Sequence, residues 1–176
     1  SSEQLEPWLG AFDLGRVLEF QGIASGIENS NFFVTTDKGR FVLTLFERLP
    51  ASDLPFYLGL MHHLAQRAIP CPDPIANRNG QMLGELNGKP AALVTRLLGH
   101  GVDDPGTGHC RQIGVLLARM HLAARDYPLV MHNARGIAWQ REKAATLEHF
   151  LAQAAAGLLR DELRAQTEFE DSALNR

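Results

Sequence analysis

From Val17 to Glu47 the chain runs in short extended stretches rather than helical periods. Val17–Ile23 is one such stretch. Further on, Phe41, Leu43 and Leu45 alternate with Val42, Thr44 and Phe46, rich in β-branched and aromatic side chains, so the pattern predicts three strands. A turn rich in Gly and Asn separates the first two, and a tight Asp37-Lys38-Gly39 turn the last two. Ahead of them Leu5, Trp8 and Leu9 stand at helical spacing, in a segment expected to be limited by Pro7 near its start. After the third strand, Ser52 or Asp53 offers an N-cap to a helix carrying Leu54, Tyr57, Leu58, Met61 and Leu64. The prolines of Ile69-Pro70-Cys71-Pro72-Asp73-Pro74 end that helix in an extended connector. Asn77-Arg78-Asn79-Gly80 is a turn, and Asn87-Gly88 joins 82–86 to 90–97 as a hairpin. Ala91-Ala92-Leu93-Val94 is apolar enough for a strand buried on both faces.

A stretch rich in Gly, Pro and Asp, 98–106, is the expected hinge, and beyond it the strand signals stop. Ile113, Leu116, Leu117, Met120 and Leu122 recur on a helical period over 109–124. Residues 127–136 read as loop. From Ile137 onward Trp139, Leu147, Leu151, Ala154 and Leu158 trace a second long helix, with Gly157 its expected break. The segment 161–173 is charged and weakly amphipathic. The fold class is therefore α+β in two parts, a β-rich part over 1–97 and the beginning of an all-helical part over 98–176.

The composition suits this picture. With 45% hydrophobic and 21% charged positions in 176 residues, the chain can bury a core without disulfides. A net charge of -3 gives no basic footprint for nucleic acid. No apolar run approaches the ~20 residues of a membrane-spanning helix, and the first residues lack a signal peptide's basic and apolar regions. The absent initiator Met implies processing or trimming. Cys71 and Cys110 form neither a CxxC nor a disulfide framework, which points to a reduced, cytoplasmic setting. His62 and His63 are adjacent and face different ways, His109 and His121 are far apart on one helix, and no His-Glu-x-x-His occurs, so no metal site is expected. His121 reads as a packing residue. The spaced glycine pairs at Gly99/Gly101 and Gly106/Gly108 read as flexible loop.

Chemistry is suggested by the first turn. Gly22 and Gly26 flank it, where close backbone approach is cheap only for Gly. Such a turn between antiparallel strands can cover a nucleotide's phosphates; on the local pattern alone it reads as a plain hairpin with a long turn. Asn133 and Arg135 suit a grip on an amino acid's carboxylate, and Arg135 equally suits a helix C-terminus or a surface carboxylate. Gly22-Ile23-Ala24-Ser25-Gly26-Ile27-Glu28-Asn29-Ser30-Asn31-Phe32, Phe41-Val42-Leu43-Thr44-Leu45-Phe46-Glu47, Ile69-Pro70-Cys71-Pro72, Gly88-Lys89-Pro90-Ala91, Ile113-Gly114 with Leu117-Ala118 and His121, and Asn133-Ala134-Arg135-Gly136-Ile137-Ala138-Trp139 together resemble one family. It is the aminoglycoside phosphotransferase and choline kinase superfamily, of two-lobed protein-kinase-like fold, and within it the bacterial homoserine kinases.

The resemblance implies ATP with Mg²⁺ as cofactors and L-homoserine as the substrate partner, in threonine biosynthesis. It implies a phosphate-covering turn at Ser25, Gly26, Ile27, Glu28, Asn29 and Ser30, with the tips of Asn29 and Ser30 toward the phosphates. Val42 would lie against adenine, and Thr95, Arg96, Leu97 and Leu98 would form the hinge reading its edge. Asn133 and Arg135 would meet the substrate. Rival readings are a kinase for choline, ethanolamine or an aminoglycoside, and a non-catalytic nucleotide-binding module.

Two departures accompany the resemblance. Thr44 stands where the third-strand lysine of kinases is expected, and the helix over 53–68 has no Glu to pair with one. Both losses together avoid an unpaired buried charge. Phosphate neutralisation then falls to metal ions, or to Arg40 or Arg48. The His-x-Asp-x-x-x-x-Asn-like catalytic loop is also missing: after Asp126 only Asp161 and Asp171 remain. Catalytic residues and metal ligands are expected past Arg176, and this chain alone is expected to be inactive.

Overall fold

The structure, a computed structural model, describes residues 2–24 and 28–174. It separates into two compact units, Ser1–Val130 and Met131–Arg176. The first contains α1 (Ser2–Leu9), β1 (Val17–Ile23), β2 (Asn29–Thr36), β3 (Arg40–Phe46), α2 (Leu54–Ala65), β4 (Gly84–Leu86), β5 (Lys89–Thr95) and α3 (Thr107–Ala123). The five strands form one antiparallel sheet in the order β1-β2-β3-β5-β4.

Alternation along the strands divides the sheet into two faces. On one, Val34, Phe41, Leu43, Ala91 and Leu93 pack with Leu5, Leu9, Phe12, Leu14 and Leu86 into the main core. Leu5 and Leu9, one turn apart on α1, are both buried there, so α1 runs through Pro7 to Leu9 rather than stopping near it. A proline in so short a helix removes one donor, and burial of two leucines on the same face outweighs it. Ala92 and Val94 are buried on the opposite face, so β5 is covered on both sides as its apolar run predicts.

Turn chemistry sets the register. Thr36 Oγ1 accepts from the amides of Lys38 and Gly39, closing the β2–β3 turn. Asn87 and Gly88, both at positive φ (56° and 72°), form the two-residue turn of the β4–β5 hairpin, whose twist requires such angles at both positions. The proline-rich connector lies along the far half of β5. Thr95 N donates to Asp73 O at 2.9 Å and Ile75 N to Leu93 O at 2.8 Å. Asp53 occupies the N-cap position of α2 without a capping bond; its carboxylate instead accepts from Ser52 Oγ at 3.1 Å.

The second unit holds α4 (Ile137–Leu147), a 3₁₀ turn at Glu148–Phe150 and α5 (Gln153–Leu174). The break expected at Gly157 falls instead at this 3₁₀ turn, and the charged segment continues α5. One glycine costs a helix only about 1 kcal/mol, too little to stop it. Turning the chain between α4 and α5 buries Ala144 and Ala156, and Arg141 then donates to Thr167 Oγ1 at 2.7 Å.

Candidate functional site

Residues opposite one another on antiparallel strands share a face. Phe33 stands opposite Val42 and Val42 opposite Val94, while Asn31 stands opposite Thr44 and Thr44 opposite Ala92. The face turned from the main core therefore carries an apolar row, Phe33-Val42-Val94. One pleat nearer the glycine-containing turn lies a second row, Ile23-Asn31-Thr44-Ala92. Asn29, opposite Phe46, continues this face toward the turn. A base, then a ribose, then phosphates could be accommodated in that order.

Within the second row Thr44 Oγ1 donates to Asn31 Oδ1 at 2.8 Å. The position where a lysine would sit is thus filled by a neutral, partnered hydroxyl. Ser30 belongs to the alternate face, and its hydroxyl donates to Glu47 Oε1 at 2.7 Å. Lys89 Nζ meets the other carboxylate oxygen at 2.6 Å. The Lys89 ammonium first, then the Ser30 hydroxyl, hold the Glu47 carboxyl below its ordinary range. This group ties the start of β2 to the end of β3 and the start of β5. So Asn29 and Ser30, expected to act side by side, lie on opposite faces.

The remaining expected residues are placed as follows. Ser25, Gly26 and Ile27 lie outside the described residues. Glu28 is exposed just before β2. Val42 is half-buried in the apolar row. Arg40 and Arg48 are exposed. Leu97 and Leu98 follow β5 in irregular chain, 48% and 87% exposed. Arg96 is more specific: its amide donates to Arg40 O at 3.0 Å, and its guanidinium lies 3.7 Å from the centroid of the Phe33 ring. In the second unit Asn133 Oδ1 accepts from Arg135 N at 3.0 Å. Asn133 thereby shapes the turn into α4, while Arg135 is exposed. A cavity of about 300 Å³ is lined there by His132, Asn133, Gly136, Ile137 and Trp139, among others. Among the described residues no three His, Cys, Asp or Glu side chains converge as a metal site would require.

With no lysine on β3 and no glutamate on α2, another set of contacts holds that helix. Tyr127 Oη donates to Phe56 O at 2.8 Å, and its ring meets those of Phe56 and His63 edge-on. His63 Nε2 lies 2.9 Å from Ala123 O and 3.2 Å from Asp126. Arg67 reaches Asp126 at 2.5 Å and holds that carboxyl below its usual range. Arg119 donates to Ala68 O at 3.3 Å. On the other side of α2, His62 and Gln66 both reach Asp73.

Sequence reasoning did not single out Phe33 and Asn31, although the tight Asp37-Lys38-Gly39 turn fixes their register against Val42 and Thr44. The Glu47–Lys89 pair and the Tyr127 contacts gave no local signal, because they join segments far apart in the chain.

Residues 19–176 match the phosphotransferase enzyme family. The chain belongs to that family. The chain is 52% identical over 170 residues to a homoserine kinase of Paraburkholderia xenovorans, a match covering 97% of the chain and 51% of the relative. It is 50% identical over 176 residues to a homoserine kinase of Methylobacillus flagellatus, covering 100% and 55%. The chain thus spans about half the length of the curated relatives it matches. Among solved structures it is similar to a spectinomycin phosphotransferase in complex with ADP and spectinomycin. That match has a TM-score of 0.62 at 14% identity and covers 82% of this chain and 45% of that one. It is also similar to an amicoumacin kinase in complex with AMP-PNP, Ca²⁺ and Ami, with a TM-score of 0.64 at 11% identity, over 86% and 55%. At such identity the likeness carries the fold: an α+β, kinase-like N-terminal sheet with accompanying helices. No helix among the described residues is long and apolar enough to cross a membrane.

Proposed function

We propose that this phosphotransferase chain is the nucleotide-binding half of a cytoplasmic homoserine kinase. The whole protein would transfer the γ-phosphoryl group of ATP, supplied with Mg²⁺, to the hydroxyl of L-homoserine. The observation that carries the reading is the identity of about one residue in two to homoserine kinases along essentially the whole chain. The lobe boundary falls near Leu97 and Leu98, where β5 gives way to irregular chain. The adenine lies against Phe33, Val42 and Val94, with backbone groups after Thr95 reading its edge. The ribose and phosphates run past Asn31 and Thr44 toward the turn expected at 25–30, with Asn29 on the same face. Glu47, held by Ser30 and Lys89, fixes the stem of that turn.

Catalysis of this kind depends on positioning and charge stabilisation rather than on a covalent intermediate. On the sheet face assigned to the ribose and phosphates the side chains Asn31 and Thr44 are neutral. Arg135 pairs with the homoserine carboxylate, a bidentate acceptor that choline lacks.

The test is a coupled ADP-release assay on the whole gene product, with homoserine, choline and kanamycin as alternative acceptors. Turnover with homoserine is expected, with loss of homoserine affinity in Arg135→Met. Preference for another acceptor would overturn the substrate while sparing the family. The 176-residue chain alone is expected to release no ADP above background; acceptor-dependent turnover by it would show that the catalytic residues lie within it.

A further inference from the structure

The stacking of Arg96 on Phe33 falls on the wall assigned to the base. β3 lies between the strands that carry these two residues, so their backbones stand two strand spacings, about 10 Å, apart and the Arg96 and Phe33 side chains meet over β3. Arg96 starts beside Arg40, whose carbonyl accepts the Arg96 amide, and ends over Phe33, the direct cross-strand neighbour of Val42. Its guanidinium therefore meets the apolar row at Phe33. At 3.7 Å from the ring centroid the guanidinium is in full contact with Phe33 and leaves no room for a second ring between them. A flat base and this guanidinium compete for one surface.

We infer that Arg96 occupies the purine-facing surface of Phe33 when the site is empty and must leave it for a nucleotide to bind, so that Arg96 sets the affinity for the base but not for the phosphates. This rests on the nucleotide reading given above. Arg96 is exposed and its guanidinium has no carboxylate partner among the described residues, so the contact to be broken is the stack alone. A cation over an aromatic ring at an exposed site corresponds to about a two- to fivefold change in a binding constant.

The test uses the 176-residue chain with two probes, ADP and inorganic tripolyphosphate. Tripolyphosphate has no base and reports the effect of removing a positive charge. In the free chain the Arg96 side-chain protons should show an upfield ring-current shift from Phe33. ADP should abolish that shift and tripolyphosphate should not. Arg96→Met should bind ADP two- to fivefold more tightly relative to tripolyphosphate, and Arg96→Lys, which keeps the charge but stacks less well, should fall between. Backbone amide spectra of both variants check that the sheet is unchanged. If ADP binds while the Arg96 signals stay shifted, or if Arg96→Met binds ADP no better relative to tripolyphosphate, the competition is refuted and the nucleotide site survives. If neither the parent chain nor any variant binds ADP, the nucleotide site is refuted, and the role of Arg96 with it.

Discussion

Gly59 sits in the middle of α2, where alanine would ordinarily stabilise the helix by about 1 kcal/mol. Here the surroundings reverse that expectation. A Cβ on Gly59 would lie 2.4 Å from Tyr127 Oη and 3.5 Å from its Cζ. The clash is thus with the hydroxyl oxygen, while the ring carbon is at ordinary contact. To admit the methyl group the Tyr127 ring must retreat by roughly 1 Å, which breaks its bond to Phe56 O at a cost of about 1 kcal/mol. The same movement weakens the edge-on pairs with Phe56 and His63, each worth about 0.5–1.5 kcal/mol when intact. Gly59→Ala should therefore destabilise the chain by about 1–2 kcal/mol net. Tyr127→Phe, which loses only the hydrogen bond, should cost about 1 kcal/mol. In the Tyr127→Phe background the obstructing oxygen is gone, so Gly59→Ala should become stabilising by up to about 1 kcal/mol.

A change of sign between two backgrounds is a sharper test than either magnitude, because the double-mutant cycle cancels effects that each substitution has elsewhere. Urea denaturation followed by Trp8 fluorescence reads it, since Trp8 packs against the core of the first unit. A Trp139→Phe background removes the other tryptophan and keeps the second unit out of the signal. If Gly59→Ala destabilises equally in both backgrounds, or stabilises the parent, Tyr127 is not the buttress of α2.

Thr44→Val removes the donor to Asn31 Oδ1 and should cost about 1 kcal/mol in urea denaturation, with far-UV circular dichroism unchanged. Asn87→Ala puts a Cβ-bearing residue without a compensating local bond at φ 56° and should cost about 1–2 kcal/mol, whereas Asn87→Gly should be tolerated. Asp126 has its folded pKa lowered, by Arg67 first. It therefore adds stability that is fully present above the ordinary carboxylate value and is lost as pH falls through the lower folded value. In acid titrations followed by thermal melts, Asp126→Asn should lose less stability than the parent below about pH 4; identical acid limbs would show that the Arg67 contact contributes nothing.

How much of this could be read in advance depends on the range of the interactions involved. β3 and the β4–β5 hairpin follow from alternation and from Asn87-Gly88, which are local signals. The apolar row was within reach too, since a tight turn at Asp37-Lys38-Gly39 dictates that Phe33 meets Val42. Gly157 misled because a weak helix breaker counts for little against the burial of Ala144 and Ala156. Thr44 and the Glu-free α2 were legible as absences, but what stands in their place was not. The contacts that hold α2 join Phe56 to Tyr127 across 71 positions, His63 to Asp126 across 63 and Arg67 to Asp126 across 59.

Those absences also bear on how such a lobe works. A Lys–Glu pair makes the position of the α2-type helix conditional on an ion pair in the cleft, which can form or break. In this chain Thr44 is satisfied within the sheet by Asn31, and α2 is held by contacts of Tyr127, His63 and Arg67. The orientation of the helix is then independent of the groups that would meet phosphate. On the proposal made above, Arg96 is a charge on this face that moves, because its contact with Phe33 is a stack that an incoming base would replace.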